Sequence, residues 1–143
     1  ELLALDGKSV PYHDENYWTD SFDGYNGIGD NDFVIYSGDD SLTLPMLSVG
    51  ASGVISVASH LFGNEMKEMI NNFKTGKICE ARKIHNKLFP AFKKLFMAPN
   101  PVPIKAALAY KDLIQEYVRR PLVELTEDEK VVLFSAIDGF YTE

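Results

Sequence analysis

The chain is poor in cysteine and histidine and, over a long stretch, in positive charge. A single cysteine, Cys79, excludes an internal disulfide and fits a cytoplasmic setting. It reads as a small core residue on a helix. The three histidines, His13, His60 and His85, fall in no zinc-ligand spacing, and one cysteine cannot build a sulfur-rich metal site, so neither metal nor cofactor is expected. His85, beside Asn86 on a helix, reads as exposed; His60 reads as a structural histidine that could line a site. Between Lys8 and Lys67 there is no lysine or arginine, although nine acidic residues from Asp14 to Glu65 fall there. With a formal charge of −7, the chain lacks the basic surface that nucleic-acid phosphates require. No run approaches the roughly 18 apolar residues of a membrane helix, and the opening residues Glu1 to Gly7 lack the basic flank and cleavage site of a signal peptide. Gly-rich phosphate loops and nucleophile elbows are missing too; Gly27-Ile28-Gly29 in an acidic stretch is a poor anion cradle.

With 143 residues, 45% of them hydrophobic, the chain can bury one compact core. Phe33 to Val57 is its most legible stretch and reads as strand, turn, helix, strand, a parallel βαβ unit. Phe33 to Tyr36 forms the first strand, ended by Ser37-Gly38. Asp39, Asp40 and Ser41 can cap the following helix, where Pro45 is still tolerated near the start. Gly50 and Gly53 stop that helix before a second buried strand, Val54 to Val57. The carboxyl ends of such strands, Ser37 to Asp40 and Ser56 to Ser59, are where α/β folds hold ligands.

Upstream, Glu1 to Leu5 resembles the tail of a helix, as if cut from something longer. Ser9 to Asp32 shows neither helical nor strand period and reads as an acidic loop. An EF-hand register around Asp23-Gly24 puts Thr19 and Ser21 at the first two ligand positions and Asp30 in place of the bidentate glutamate, a poor match to that calcium site that favours a solvated loop.

Downstream the chain turns helical. Asn64 is a candidate N-cap for a helix with Met66, Met69, Ile70 and Phe73 on its core face and Gly76 as stop. A longer helix is predicted from about Ile78 to Phe96, with Lys83, Lys87, Lys93 and Lys94 in solvent and Pro90 kinking or splitting it. Ala98 to Pro103 reads as a rigid extended elbow before a short helix through Ile104, Ala107 and Leu108. Arg119 and Arg120 read as surface ion-pair partners. In the last helix Thr126 and Glu129 form a capping box, and Val131, Val132, Phe134, Ser135 and Ile137 fill the turns up to Gly139.

Four stretches in order, Ser37-Gly38-Asp39-Asp40, Gly53 to Ser59, Phe96 to Leu108 and Arg120 to Val123, resemble the dihydrodipicolinate synthase family. The likeness covers Asp32 to the C-terminus, and Asn100-Pro101-Val102-Pro103 favours this family over the related N-acetylneuraminate lyases within the class I aldolase group. The resemblance implies an α/β fold, the C-terminal part of a (β/α)8 TIM barrel carrying strands six to eight, followed by extra helices. Residues 1–63 would be the partial barrel segment and 64–143 the last barrel helix with its helical extension.

The implied reaction is a lyase-type condensation in lysine biosynthesis. A lysine on the sixth strand forms a Schiff base with pyruvate, whose enamine attacks aspartate semialdehyde. Gly38 and the backbone of Ile55 would then lie beside pyruvate, in a cytoplasmic homotetramer using no cofactor. This chain departs from that pattern in two ways. It is about half the roughly 250 residues of a full barrel, so the first strands and their substrate-binding side chains are expected elsewhere. At the family's usual spacing before Ser37, the Schiff-base position falls on His13, followed by Asp14 and Glu15, and an imidazole cannot form the protonated imine. The expectation is therefore a chain inactive alone, completed by a missing N-terminal half-barrel or by oligomerisation; the alternative is a non-catalytic half-barrel or helical interaction module.

Overall fold

A computed structural model describes residues 34–142. His13, the 1–5 helix tail and the acidic loop lie outside the described residues. Strand β1 is Tyr36–Ser37 and β2 is Gly53–Val54, paired parallel with Tyr36 opposite Gly53 and Ser37 opposite Val54. Both are shorter than expected. Gly53, read as a helix stop, is the first residue of β2, and Ser37 belongs to β1. The connection runs through a single 3₁₀ turn, Asp40–Leu42, into helix α1, Thr43–Ser48. Four helices follow: α2 (Ser59–Lys74), α3 (Ile78–Lys94), α4 (Val102–Tyr110) and α5 (Glu127–Asp138).

Three helices end in the same way, for a stated stereochemical reason. After α2, Gly76 donates to Phe73 O and Lys77 to Asn72 O, with Gly76 at φ +78°. After α1, Gly50 and Ala51 bond Leu47 O and Met46 O with Gly50 at φ +99°. These are Schellman closures, which need a left-handed residue just past the cap. After α4 the same pair of bonds is made by Asp112 and Leu113, with Asp112 itself left-handed at φ +57°.

The core lies where α3 packs between α2 and α5, with α4 against α5. Phe62, Met66, Leu88, Phe92, Leu133 and Ile137 are among its fully enclosed side chains. Each such side chain contributes roughly 1.5–3 kcal/mol relative to an exposed one. Met66 and Met69 are core residues, as their spacing indicates. Thr126 and Glu129 form the expected capping box on α5, whereas its buried stripe is Leu133 and Ile137; Val131 and Val132 are exposed.

Several expectations are corrected. Helix α2 begins at Ser59 rather than at Asn64, and bends at Phe62 (φ −115°, ψ 31°), just before the proposed start. Pro90 neither splits α3 nor ends it. Both Pro90 and Asn86, whose carbonyl loses its partner, face water, and the buried residues Leu88, Ala91 and Phe92 bind the helix down on both sides of the proline. Val102 and Pro103 are the first turn of α4, where a proline needs no N–H partner, so the elbow is shorter than Ala98 to Pro103. His85 is buried, because it follows Ala81 by four and precedes Leu88 by three on the core stripe of α3. Cys79 lies off that stripe and is exposed. Among the described residues Arg119 and Arg120 make no ion pair; the pairs present are Lys111 with Asp138 and Lys130 with Glu116 and Glu127.

Candidate functional site

Both strands end on the same side of the sheet, because parallel pairing points both carboxyl ends one way. The Ile55 N–H donates to Ser37 O at 2.8 Å, which sets Ile55 directly beside the Ser37-Gly38 turn. Ser37 closes that turn: its hydroxyl donates to Asp39 O at 2.7 Å and accepts from Asp39 N–H at 3.2 Å. A Cβ added to Gly38 would meet nothing within 4 Å, so packing does not demand glycine there; its missing side chain leaves the strand end open. Among the described residues the Ile55 carbonyl accepts no hydrogen bond, and its side chain is 72% exposed.

The paired acids divide their work. Asp39 caps locally, its Oδ1 accepting from Ser41 N–H at 2.7 Å and from the Ser41 hydroxyl at 2.6 Å. The Ser41 hydroxyl bond, the backbone bonds and the nearby Lys93 charge hold the Asp39 carboxyl below its usual range against its partial burial. Asp40 turns inward and is 1% exposed. Its Oδ2 accepts from Ala58 N–H at 2.9 Å and Val57 N–H at 3.2 Å, while its own carbonyl accepts from the Thr43 hydroxyl at 2.8 Å. Helix α2 has no side-chain cap of its own at Ala58, so a carboxylate from the other strand end takes that place at the positive end of the helix. Ser56 completes the loop by accepting from Ser59 N–H at 2.8 Å.

Ile55 and the Ser37-Gly38 turn therefore lie side by side at the strand ends. His60 is exposed on the first turn of α2 and does not border the cleft beside β2, whose lining includes Val54, Ser56, Gly63, Met66 and Ile70. His13 lies outside the described residues, and among those described no cluster of His, Cys, Asp or Glu could hold a metal ion. The sequence reading missed two residues. Asp40 was one of three interchangeable caps, and the signal that singles it out is that only one of two adjacent aspartates can serve the local turn. Tyr36 is the other: it shares the exposed sheet face with Ile55, and its ring lies 3.3 Å from where a Gly53 Cβ would stand.

The solved structures with this arrangement define the class first: they are synthases of a TIM-barrel family. A dihydrodipicolinate synthase from Bacillus anthracis matches 76% of this chain at 51% identity with a TM-score of 0.72, and one from Thermotoga maritima matches 77% at 35% identity with a TM-score of 0.75. Each solved chain is covered over only 37% of its length. The profile of the dihydrodipicolinate synthetase family matches residues 26–139, and the chain belongs to that family. The 4-hydroxy-tetrahydrodipicolinate synthase of Bacillus subtilis is 56% identical over 106 residues, which are 74% of this chain and 37% of the relative. The chain therefore spans little more than a third of the relatives it matches. Among the described residues no helix is long and apolar enough to cross a membrane.

Proposed function

We propose that this chain forms one wall of a lyase site that condenses pyruvate with aspartate semialdehyde, the C-terminal part of a (β/α)8 barrel in which β1 and β2 are strands seven and eight. The observation that carries the reading is the Ile55 carbonyl, unpartnered among the described residues and held beside the open Gly38 turn. A keto acid bound to an amine carries an O–H or N–H that needs an acceptor at the strand ends, and a main-chain carbonyl supplies one whatever the side chain. In this reading residues 1–63 belong to the barrel and 64–143 to its last helix and extension, the whole working as a cytoplasmic homo-oligomer without a cofactor. This chain supplies no Schiff-base amine of its own, because His13 stands where the lysine is expected and an imidazole cannot replace it. The chain contributes binding and orientation; the proton relay and carboxylate clamp belong to the remainder.

The test is a chimera in which residues 34–142 replace the corresponding segment of the Bacillus subtilis relative. Incubation with pyruvate followed by borohydride reduction is expected to add one reduced pyruvate per subunit, read by mass, and Gly38→Val is expected to raise the KM for pyruvate at least tenfold. A folded chimera that takes up no pyruvate would refute the reading. The 143-residue chain by itself is expected to show no adduct.

A further inference from the structure

Helix α2 is broken near its start, and the break lies between the strand ends and the turn that follows α5. Its first turn, residues 59–61, is tight: the Leu61 and Phe62 N–H groups both donate to Ala58 O, at 3.0 and 2.9 Å. The backbone then leaves helical geometry at Phe62 alone (φ −115°, ψ 31°). Proline, the usual cause of such a break, is absent from α2. On the strand side, Asp40 holds the Val57 and Ala58 N–H groups that lead into the first turn. Ser56 spans the break. Its hydroxyl accepts from Ser59 N–H at 2.8 Å, in the first turn, and donates to Met66 Sδ at 3.4 Å, in the body of the helix. A change of angle at Phe62 pulls these two partners apart, and Ser56 directly follows Ile55. The place of the Ile55 carbonyl is therefore tied to the angle of the break.

The turn after α5 grips the same residue from the other side. Phe62 is fully enclosed; its ring meets Phe140 edge-on with centroids 5.3 Å apart and lies 28° from parallel with Tyr141 at 6.2 Å. Phe140 and Tyr141 meet each other edge to face at 5.2 Å, which closes a three-ring cluster. Two ammonium groups pin it: Lys87 of α3 lies 4.9 Å from the Phe140 ring centroid, and Lys111, just past α4, 5.4 Å from that of Tyr141. Asp138, the last residue of α5, holds Lys111 at 2.9 Å. The cluster is thus fastened to α3, α4 and α5 and closes on the one residue of α2 that is not helical. We propose that Phe140 and Tyr141 are positioning residues for the strand-end site: through the Phe62 ring they set the angle of the α2 break, and with it the place of the 55–58 loop and the Ile55 carbonyl. The inference takes from the proposed function only that this carbonyl meets a keto acid.

The test compares Phe140→Ala and Tyr141→Ala with Leu125→Ala. Leu125 is buried beyond the opposite end of α5, about 18 Å away along the helix axis, so its truncation loosens the core without touching the three rings. Amide exchange of the 143-residue chain is read at Val57 and Ala58 against Leu88 in the core of α3. Phe140→Ala is expected to quicken Val57 and Ala58 at least tenfold more than Leu88. Tyr141→Ala, which removes a half-exposed ring, does so about threefold, and Leu125→Ala quickens all three alike. In the chimera carrying residues 34–142, the two ring variants raise the KM for pyruvate by about tenfold and threefold with kcat within about twofold of the parent, whereas Leu125→Ala moves neither. Equal quickening at the three amides in both ring variants, or a KM unmoved by either, overturns the proposal. If Phe140→Ala does not fold, Tyr141→Ala carries the test. A chimera that takes up no pyruvate refutes the site reading alone, and the exchange pattern then decides whether the rings position the loop.

Discussion

Removing the Asp40 carboxylate is the most informative single perturbation of this molecule. Its Oδ2 receives two backbone N–H groups, from Ala58 at 2.9 Å and Val57 at 3.2 Å, inside a fully enclosed setting. A hydrogen bond to a charged group contributes about 1.5–3 kcal/mol. Taking the shorter bond near the middle of that range and the longer one at its low end gives about 3–4 kcal/mol for Asp40→Ala, a loss that includes leaving the Ala58 N–H dry. A domain of this size is stable by about 5–15 kcal/mol, so the variant remains folded but with a large part of its margin gone. With a urea dependence of roughly 1.5–2 kcal/mol per molar, the denaturation midpoint should fall by about 2 M. Asp40→Asn keeps an acceptor of the same shape without the charge and should fall by about 1 M. Asp39→Ala, which removes a local cap, should cost only about 1 kcal/mol. Amide exchange at Val57 and Ala58 should quicken in the Asp40 variants and not in Asp39→Ala. An Asp40→Ala midpoint within 0.5 M or so of the parent, or a larger loss for Asp39→Ala, would show that the strand-to-strand clamp does not carry this load.

Burial between aromatic neighbours lowers the affinity of His85 for a proton, with Phe89 and Phe92 ring centroids at 5.8 and 6.1 Å. The folded value lies below the unfolded one, so the unfolded chain takes up the proton first and stability falls as pH drops through the mid-6 range; a thermal melt series from pH 7.5 to 5.5 should show this slope, and His85→Leu should flatten it. Asp138 behaves in the opposite range. Bonds from the Tyr110 hydroxyl at 2.6 Å and Lys111 at 2.9 Å lower its carboxyl below the usual value, so its contribution is complete at neutral pH and lost only as pH falls through that lowered value; Asp138→Asn should remove this part of the acid sensitivity in melts between pH 5 and 2. Thr126→Ala removes one half of the α5 capping box and should cost about 1 kcal/mol by urea denaturation, with no change in the melts' dependence on pH between 7.5 and 5.5.

Local chemistry was what the sequence alone determined. The capping box at Thr126, the glycines that end α1 and α2, the methionine stripe of α2 and the strand-turn-helix-strand order around Ser37 all follow from interactions a few residues long, and each can be read from spacing. The motifs from Ser37-Gly38 through Asn100-Pro101 carried the family. Tertiary structure decided what depends on which surface meets which. His85 and Cys79 sit six residues apart on one helix, yet one is buried and the other exposed, because the core stripe of α3 is set by α2 and α5 rather than by residue type. Pro90 was tolerated for the same reason: packing on both sides of it outweighs one lost backbone bond. The start of α2 has one local partner, Ser56, whose hydroxyl accepts from Ser59 N–H, and one remote one, Asp40, 18 residues upstream of Ala58; the remote partner is invisible to any local rule until the strands pair.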